Sequence, residues 1–156
     1  MKKTFFQLII FALTMVYCQQ AVAGVPVIKN NGDAKYTIQT GDRTMIIDSN
    51  GGKILSFKYK DTEVLSQLRF PESFGSTFWT SPQKEWNWPP IPEYDKQPYT
   101  VEENGTSLVM KSNVSSRLGY RITKEFLPDT KNDAIIVNYT ITNESGETRK
   151  VAPWEI

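Results

Sequence analysis

The feature that most narrows the folds open to this chain is a hydrophobic period of two. Leu118, Tyr120 and Ile122 alternate with Gly119, Arg121 and Thr123, and Ile135, Val137, Tyr139 and Ile141 alternate with Ile136, Asn138, Thr140 and Thr142. Leu55, Phe57 and Tyr59 do the same around Ser56 and Lys58. Successive side chains of a strand point to opposite sheet faces, so each run predicts a strand with one apolar and one polar face. The residue types, rich in Ile, Val, Tyr, Thr and Phe, suit a pleated, half-buried surface. Turn signals separate the runs: Asn31-Gly32, Gly41-Asp42, Asn50-Gly51-Gly52, Asn104-Gly105, Pro128-Asp129 and Ser145-Gly146. Short strands punctuated in this way predict an all-β antiparallel sandwich or barrel. Beyond the N-terminal segment no long stretch carries a helical stripe, and a single turn over Val64 to Leu68 is the most helix expected.

From Phe70 to Tyr99 the alternation stops. This stretch holds Trp79, Trp86 and Trp88 together with most of the prolines, and Pro89-Pro90 and Pro92 exclude a central strand there. Irregular segments of this length in a compact domain are functional or disordered, and the aromatic content argues against disorder. The tryptophans come with Gln83, Glu85, Glu93, Tyr94 and Asp95. Flat aromatic faces stack on the C–H faces of sugar rings, while amides and carboxylates bond the hydroxyls, so the combination points to a carbohydrate site. Aromatic residues also bury large areas and clamp long loops. Both readings of the tryptophans stay open at the level of sequence.

Carboxylates whose environments split their pKa values can serve as acid and base. Glu85, Glu93 and Asp95 lie in the irregular segment; Glu155 ranks first because it follows Trp154 in an otherwise apolar run, Arg149 to Ile156. That run reads as a strand cut short, which suggests a fragment or truncated product.

Composition removes several alternatives. Lys and Arg number 18 against 17 Asp and Glu, a formal charge of +1, which gives no field for gripping nucleic acid or an acidic membrane surface. With no histidine and one cysteine, the chain has no Ser-His-Asp triad, Cys-His dyad, internal disulfide or thiolate zinc site. Gly51-Gly52 reads as a turn rather than a phosphate cradle, and no EF-hand spacing occurs, so no cofactor or metal is expected. Lys58, Lys60, Lys84 and Lys96, interleaved with acids, read as solvated faces. Glycosylation triplets begin at Asn104, Asn113, Asn138 and Asn143, a pattern common by chance in an Asn- and Thr-rich chain.

The N-terminus has a separate meaning. Met1-Lys2-Lys3 precedes an uncharged apolar run from Phe5 to Val16, and Ala21-Val22-Ala23 supplies the small residues of a cleavage site. Residues 1–23 therefore read as an export signal, too short for a membrane span. Cys18 raises the alternative of a lipid anchor, which fits less well because Tyr17 stands where a small residue is wanted. Residues 24–156 form the expected domain, periplasmic or extracellular.

Three stretches carry a family resemblance: Ser49 to Leu65 (SNGGKILSFKYKDTEVL), Phe74 to Asp95 (FGSTFWTSPQKEWNWPPIPEYD) and Ala134 to Ile156 (AIIVNYTITNESGETRKVAPWEI). Through them the chain resembles the galactose mutarotase-like superfamily, and within it an uncharacterised bacterial family, the domain of unknown function 4380. The resemblance implies an antiparallel β-supersandwich of which this chain is the N-terminal half, incomplete at the C-terminus and poorly stable alone. It implies a sugar ligand, with Trp79, Trp86, Trp88 and Trp154 as stacking surfaces and Gln83, Glu85 and Glu93 as hydroxyl partners. Mutarotases place a histidine acid near the position of Trp154-Glu155 and a glutamate base much later in the chain. This chain has no histidine, and the glutamate would lie beyond Ile156, so a carbohydrate-binding protein is the first expectation. A sugar epimerase or another carbohydrate-active enzyme using Glu155 is the alternative, and a structural β domain without ligand the third.

Overall fold

The computed structural model describes residues 25–67 and 74–155. The expectations for the leader at 1–23, for Cys18, for the part of the irregular stretch at Phe70 to Glu72 and Ser73, and for Leu68 lie outside these residues. The strands in chain order are β1 (Val27–Gly32), β2 (Lys35–Thr40), β3 (Arg43–Asp48), β4 (Lys53–Tyr59), β5 (Thr62–Glu63), β6 (Phe78–Ser81), β7 (Thr100–Glu103), β8 (Leu108–Lys111), β9 (Tyr120–Asp129), β10 (Ala134–Asn143) and β11 (Ala152–Glu155). Strands β1 to β5 form one sheet in sequence order, and a second runs β10-β9-β8-β7. Among the described residues strands β6 and β11 pair only with each other, as a two-stranded ribbon. Every pairing is antiparallel. The fold is all-β, and the only α-helical element among the described residues is the turn α1 (Pro92–Asp95). Among the described residues no helix is long and apolar enough to cross a membrane.

The two larger sheets enclose a first core of Tyr36, Ile38, Met45 and Ile47 from one side and Leu108, Met110 and Phe126 from the other, closed by Tyr99. A second core gathers Tyr120 and Ile122 of β9, Phe78 of β6, Leu118, and Trp86, Ile91 and Tyr94 from the irregular segment. Each such fully buried apolar side chain contributes about 1.5–3 kcal/mol by leaving water. Strand β9 joins the two cores. Its inward residues are Tyr120 and Ile122 in the second core and Phe126 in the first, with Lys124 between them at the seam.

The alternation from Leu118 to Ile122 holds, with all three apolar residues buried. So does that of β10, where Ile135, Val137, Tyr139 and Ile141 face the cores and their neighbours face outward. Strand β4 departs from expectation. Met45 pairs with Phe57 and Ile47 with Ile54, so the register shift in this pair makes Leu55 the extra residue of a β-bulge. The bulge turns both Ile54 and Phe57 toward the first core, buries Ser56 and leaves Tyr59 exposed. The expected grouping of Leu55 with Phe57 is thereby corrected. Residues 64–67 make no helical turn. Within the irregular segment, Phe78–Ser81 is a strand, ending immediately before Pro82 and well before Pro89.

Candidate functional site

The β6–β11 ribbon has two chemically distinct faces, fixed by its register. Trp79 pairs with Trp154 and Phe78 with Glu155. Because paired residues share a face, Trp79 and Trp154 lie on one side and Phe78 and Glu155 on the other. Phe78 is fully buried in the second core, so its side is the inner one.

The other three tryptophans meet around Trp79. Trp154 lies edge-on to it at 5.4 Å between ring centroids, Trp88 at 6.1 Å and Trp86 at 5.7 Å. Their exposures differ: Trp88 is 70% and Trp154 39% exposed, while Trp86 is 1% exposed. The Trp86 indole N–H donates to the Thr80 carbonyl at 2.7 Å, a buried bond that clamps the segment onto β6. Trp86 therefore has no free face for stacking and belongs to the core, as the clamping reading of the tryptophans allows. Gln83 and Glu85 bound the 3-10 turn before it, Gln83 exposed and Glu85 half-buried. The Gln83 carbonyl accepts the N–H groups of Trp86 and Asn87, which presents Trp88 at the surface. Glu93 is engaged elsewhere: its carboxylate accepts the Ser116 N–H at 3.2 Å and ties α1 to the turn before β9.

The inner face covers a polar group at the seam of the cores. Lys124 is wholly buried, and its ammonium donates to the carbonyls of Gly51 and Gly52 at 3.1 and 2.9 Å. The rings of Phe78, Tyr99 and Tyr139 surround it at 5.6–5.8 Å from their centroids. The Gly-Gly turn is required for this approach. Its residues have φ of +76° and +57°, and a Cβ on Gly51 would lie 2.3 Å from the Asp95 carbonyl. Burial lowers the Lys124 pKa to about 8, with Glu155 and then Asp95 opposing the shift and Lys53 adding to it.

Glu155 belongs to the same group. As a residue on an edge strand it is exposed, but its register turns the carboxylate inward, where the Tyr139 hydroxyl donates to it at 2.8 Å. Burial of this carboxylate raises its pKa, opposed by Lys124, Tyr139 and Ser76. Burial also raises the Tyr139 and Tyr99 phenols above their ordinary values, and the Glu155 charge adds to both shifts. Asp95 is buried and lies 3.5 Å from the Lys53 ammonium. Strand β11 differs from the expected apolar strand, since all four of its residues are exposed.

Sequence reasoning named Glu155 but missed Lys124 and Tyr139. The signal was present: extending the alternation of Leu118, Tyr120 and Ile122 by one more step puts Lys124 inward, between Ile122 and Phe126. Among the described residues no group of three or more carboxylate or thiol side chains is placed to hold a metal ion. In comparisons with known proteins, no family model, curated protein or solved structure matches this chain.

Proposed function

We propose that this chain is an exported carbohydrate-binding protein built on a mutarotase-like sandwich, with sugar rings stacking on the outer face of the β6–β11 ribbon. The observation that carries the reading is the exposure of Trp88 and Trp154 on either contact of Trp79. Aromatic rings of this size are normally buried or partnered, and an exposed cluster held by a rigid neighbour is a recognition surface. Trp86 anchors this surface from below, and Gln83 and Glu85 flank it as hydroxyl partners. The fluorescence of the full chain titrated with a panel of mono- and oligosaccharides tests the reading. A saturable change that disappears in Trp88→Ala supports it; no response to any sugar from a folded protein leaves the tryptophans as packing residues only.

A second reading, catalysis on a sugar, has one observation in its favour. The Glu155 carboxyl is raised by burial and bonded by the Tyr139 hydroxyl beside a buried amine, a setting that suits proton transfer. Sugar turnover by the wild-type chain that is abolished in Glu155→Gln would favour this reading over binding alone.

A further inference from the structure

Beyond its ladder with β6, strand β11 has little to hold it, since it buries no residue. All four of its residues are exposed, and Trp154 leans on Trp79 at the outer face. A two-stranded ribbon is marginal in water on its own. Val151, just before the strand, packs on the second core; from Ala152 onward Pro153 and Glu155 share the inner side, and the only charged group sent inward is the Glu155 carboxylate.

What waits inside is a cation. The two carbonyls that accept from Lys124 take up two of its three N–H donors without balancing its charge. Among the described residues the groups facing it are Glu155 of β11, Asp95 of α1, Lys53 of β4, the phenols of Tyr99 and Tyr139 and the Phe78 ring. Asp95 is already paired with Lys53, whose own charge opposes that of Lys124. Glu155 is therefore the counter-charge left to Lys124, with Tyr139 between them, its ring toward the ammonium and its hydroxyl on the carboxylate.

We propose that the buried Lys124 and Glu155 of the exposed edge strand form a charge latch, bridged by Tyr139, which seats strand β11 and sets Trp154 against Trp79. Lys124 and Glu155 are positioning residues in this scheme, and the inference stands whether or not the tryptophans bind sugar. A latch of this kind has a recognisable energetic form. Removing Glu155 leaves the Lys124 ammonium buried without its counter-charge, whereas removing both relieves the conflict.

Amide hydrogen exchange of the full chain, followed by NMR, reads the latch directly. Glu155→Gln is expected to speed exchange in the β6–β11 ladder by about tenfold or more while the β9–β10 ladder is unchanged. In a Lys124→Met background the same substitution is expected to change that ladder less than about twofold. Unchanged exchange in Glu155→Gln, or an equal acceleration in both backgrounds, overturns the proposal. A second measurement needs only the surface-strand variant. The Lys124 side-chain resonance, titrated in wild type and Glu155→Gln, is expected to show about tenfold weaker proton affinity once its counter-charge is gone. An identical titration in the two proteins also overturns it.

Discussion

Replacing Lys124 by methionine tests the energetics of the seam through the pH dependence of stability. The Lys124 pKa is lowered from 10.5 to about 8 by burial. Below about pH 8 the amine is charged in both the folded and the unfolded chain, and the penalty for burying that charge is fully present. Between about 8 and 10.5 the folded protein has released the proton while the unfolded chain still holds it. Unfolding then takes up a proton, so stability rises with pH at a slope of up to about 1.4 kcal/mol per unit. The tyrosines act in the opposite sense. Tyr94, Tyr99 and Tyr139 are raised above their ordinary 10.0, chiefly by burial, so above pH 10 the unfolded chain loses phenolic protons first and stability falls. The expected profile climbs by about 2 kcal/mol from pH 8 to pH 10 and then declines. In Lys124→Met the climb is absent and the decline remains. The neutral-pH difference is smaller, because two charge-assisted hydrogen bonds of about 1.5–3 kcal/mol each are exchanged for relief from a buried ammonium. Urea unfolding at a series of pH values measures both profiles. A wild-type profile flat from pH 8 to 10, or a climb of the same size in the variant, would refute the assignment of the alkaline limb to Lys124.

The tryptophans separate by burial: Trp86→Ala is expected to lose about 3–5 kcal/mol in denaturant unfolding, and Trp88→Ala to stay within about 0.5 kcal/mol of wild type. Equal losses would contradict the division between clamp and surface ring. Gly51→Ala places a Cβ against the Asp95 carbonyl in a left-handed backbone, so a loss of 2 kcal/mol or more is expected, against about 1 kcal/mol for Gly105→Ala, where φ is +81° but nothing lies within 4 Å. At Glu63 burial opposes ionisation, but hydrogen bonds from Ser56, Leu65, Phe57 and Val64 outweigh it and hold the pKa below its usual 4.5. Its contribution is present above that value and lost as pH falls through the lowered one. Glu63→Gln is therefore expected to be less stable at neutral pH and to show a shallower acid-induced loss, as followed by circular dichroism.

The parts of the fold legible in sequence were those where one face is buried and the strand is regular. Strand β10 alternates over its whole length against two cores, and nothing in its register disturbs the pattern. Strand β4 was misread because a bulge at Leu55 depends on the partner strand, which a single sequence window does not contain. Strand β6 has four residues and strand β11 has no buried ones, so neither leaves a periodic trace. The tryptophan cluster was visible as composition, but which ring is clamp and which is surface depends on the Trp86–Thr80 bond. Lys124 was hidden by expectation, since a lysine in an apolar row reads as a break in the pattern until three rings, two carbonyls and a carboxylate are found around it.

The opposite orientations of Trp154 and Glu155 have a consequence for assembly of the ribbon. If β11 slid by one residue along β6, every side chain would change sides. The indole of Trp154 would be driven toward the Lys124 amine, and the carboxylate of Glu155 would point into water. Such a misalignment is penalised twice, by an ammonium enclosed without an anion and by a large ring forced into a filled space. A ribbon of two four-residue strands is thus self-proofreading: one alignment satisfies both of its sides, and the neighbouring alignments satisfy neither.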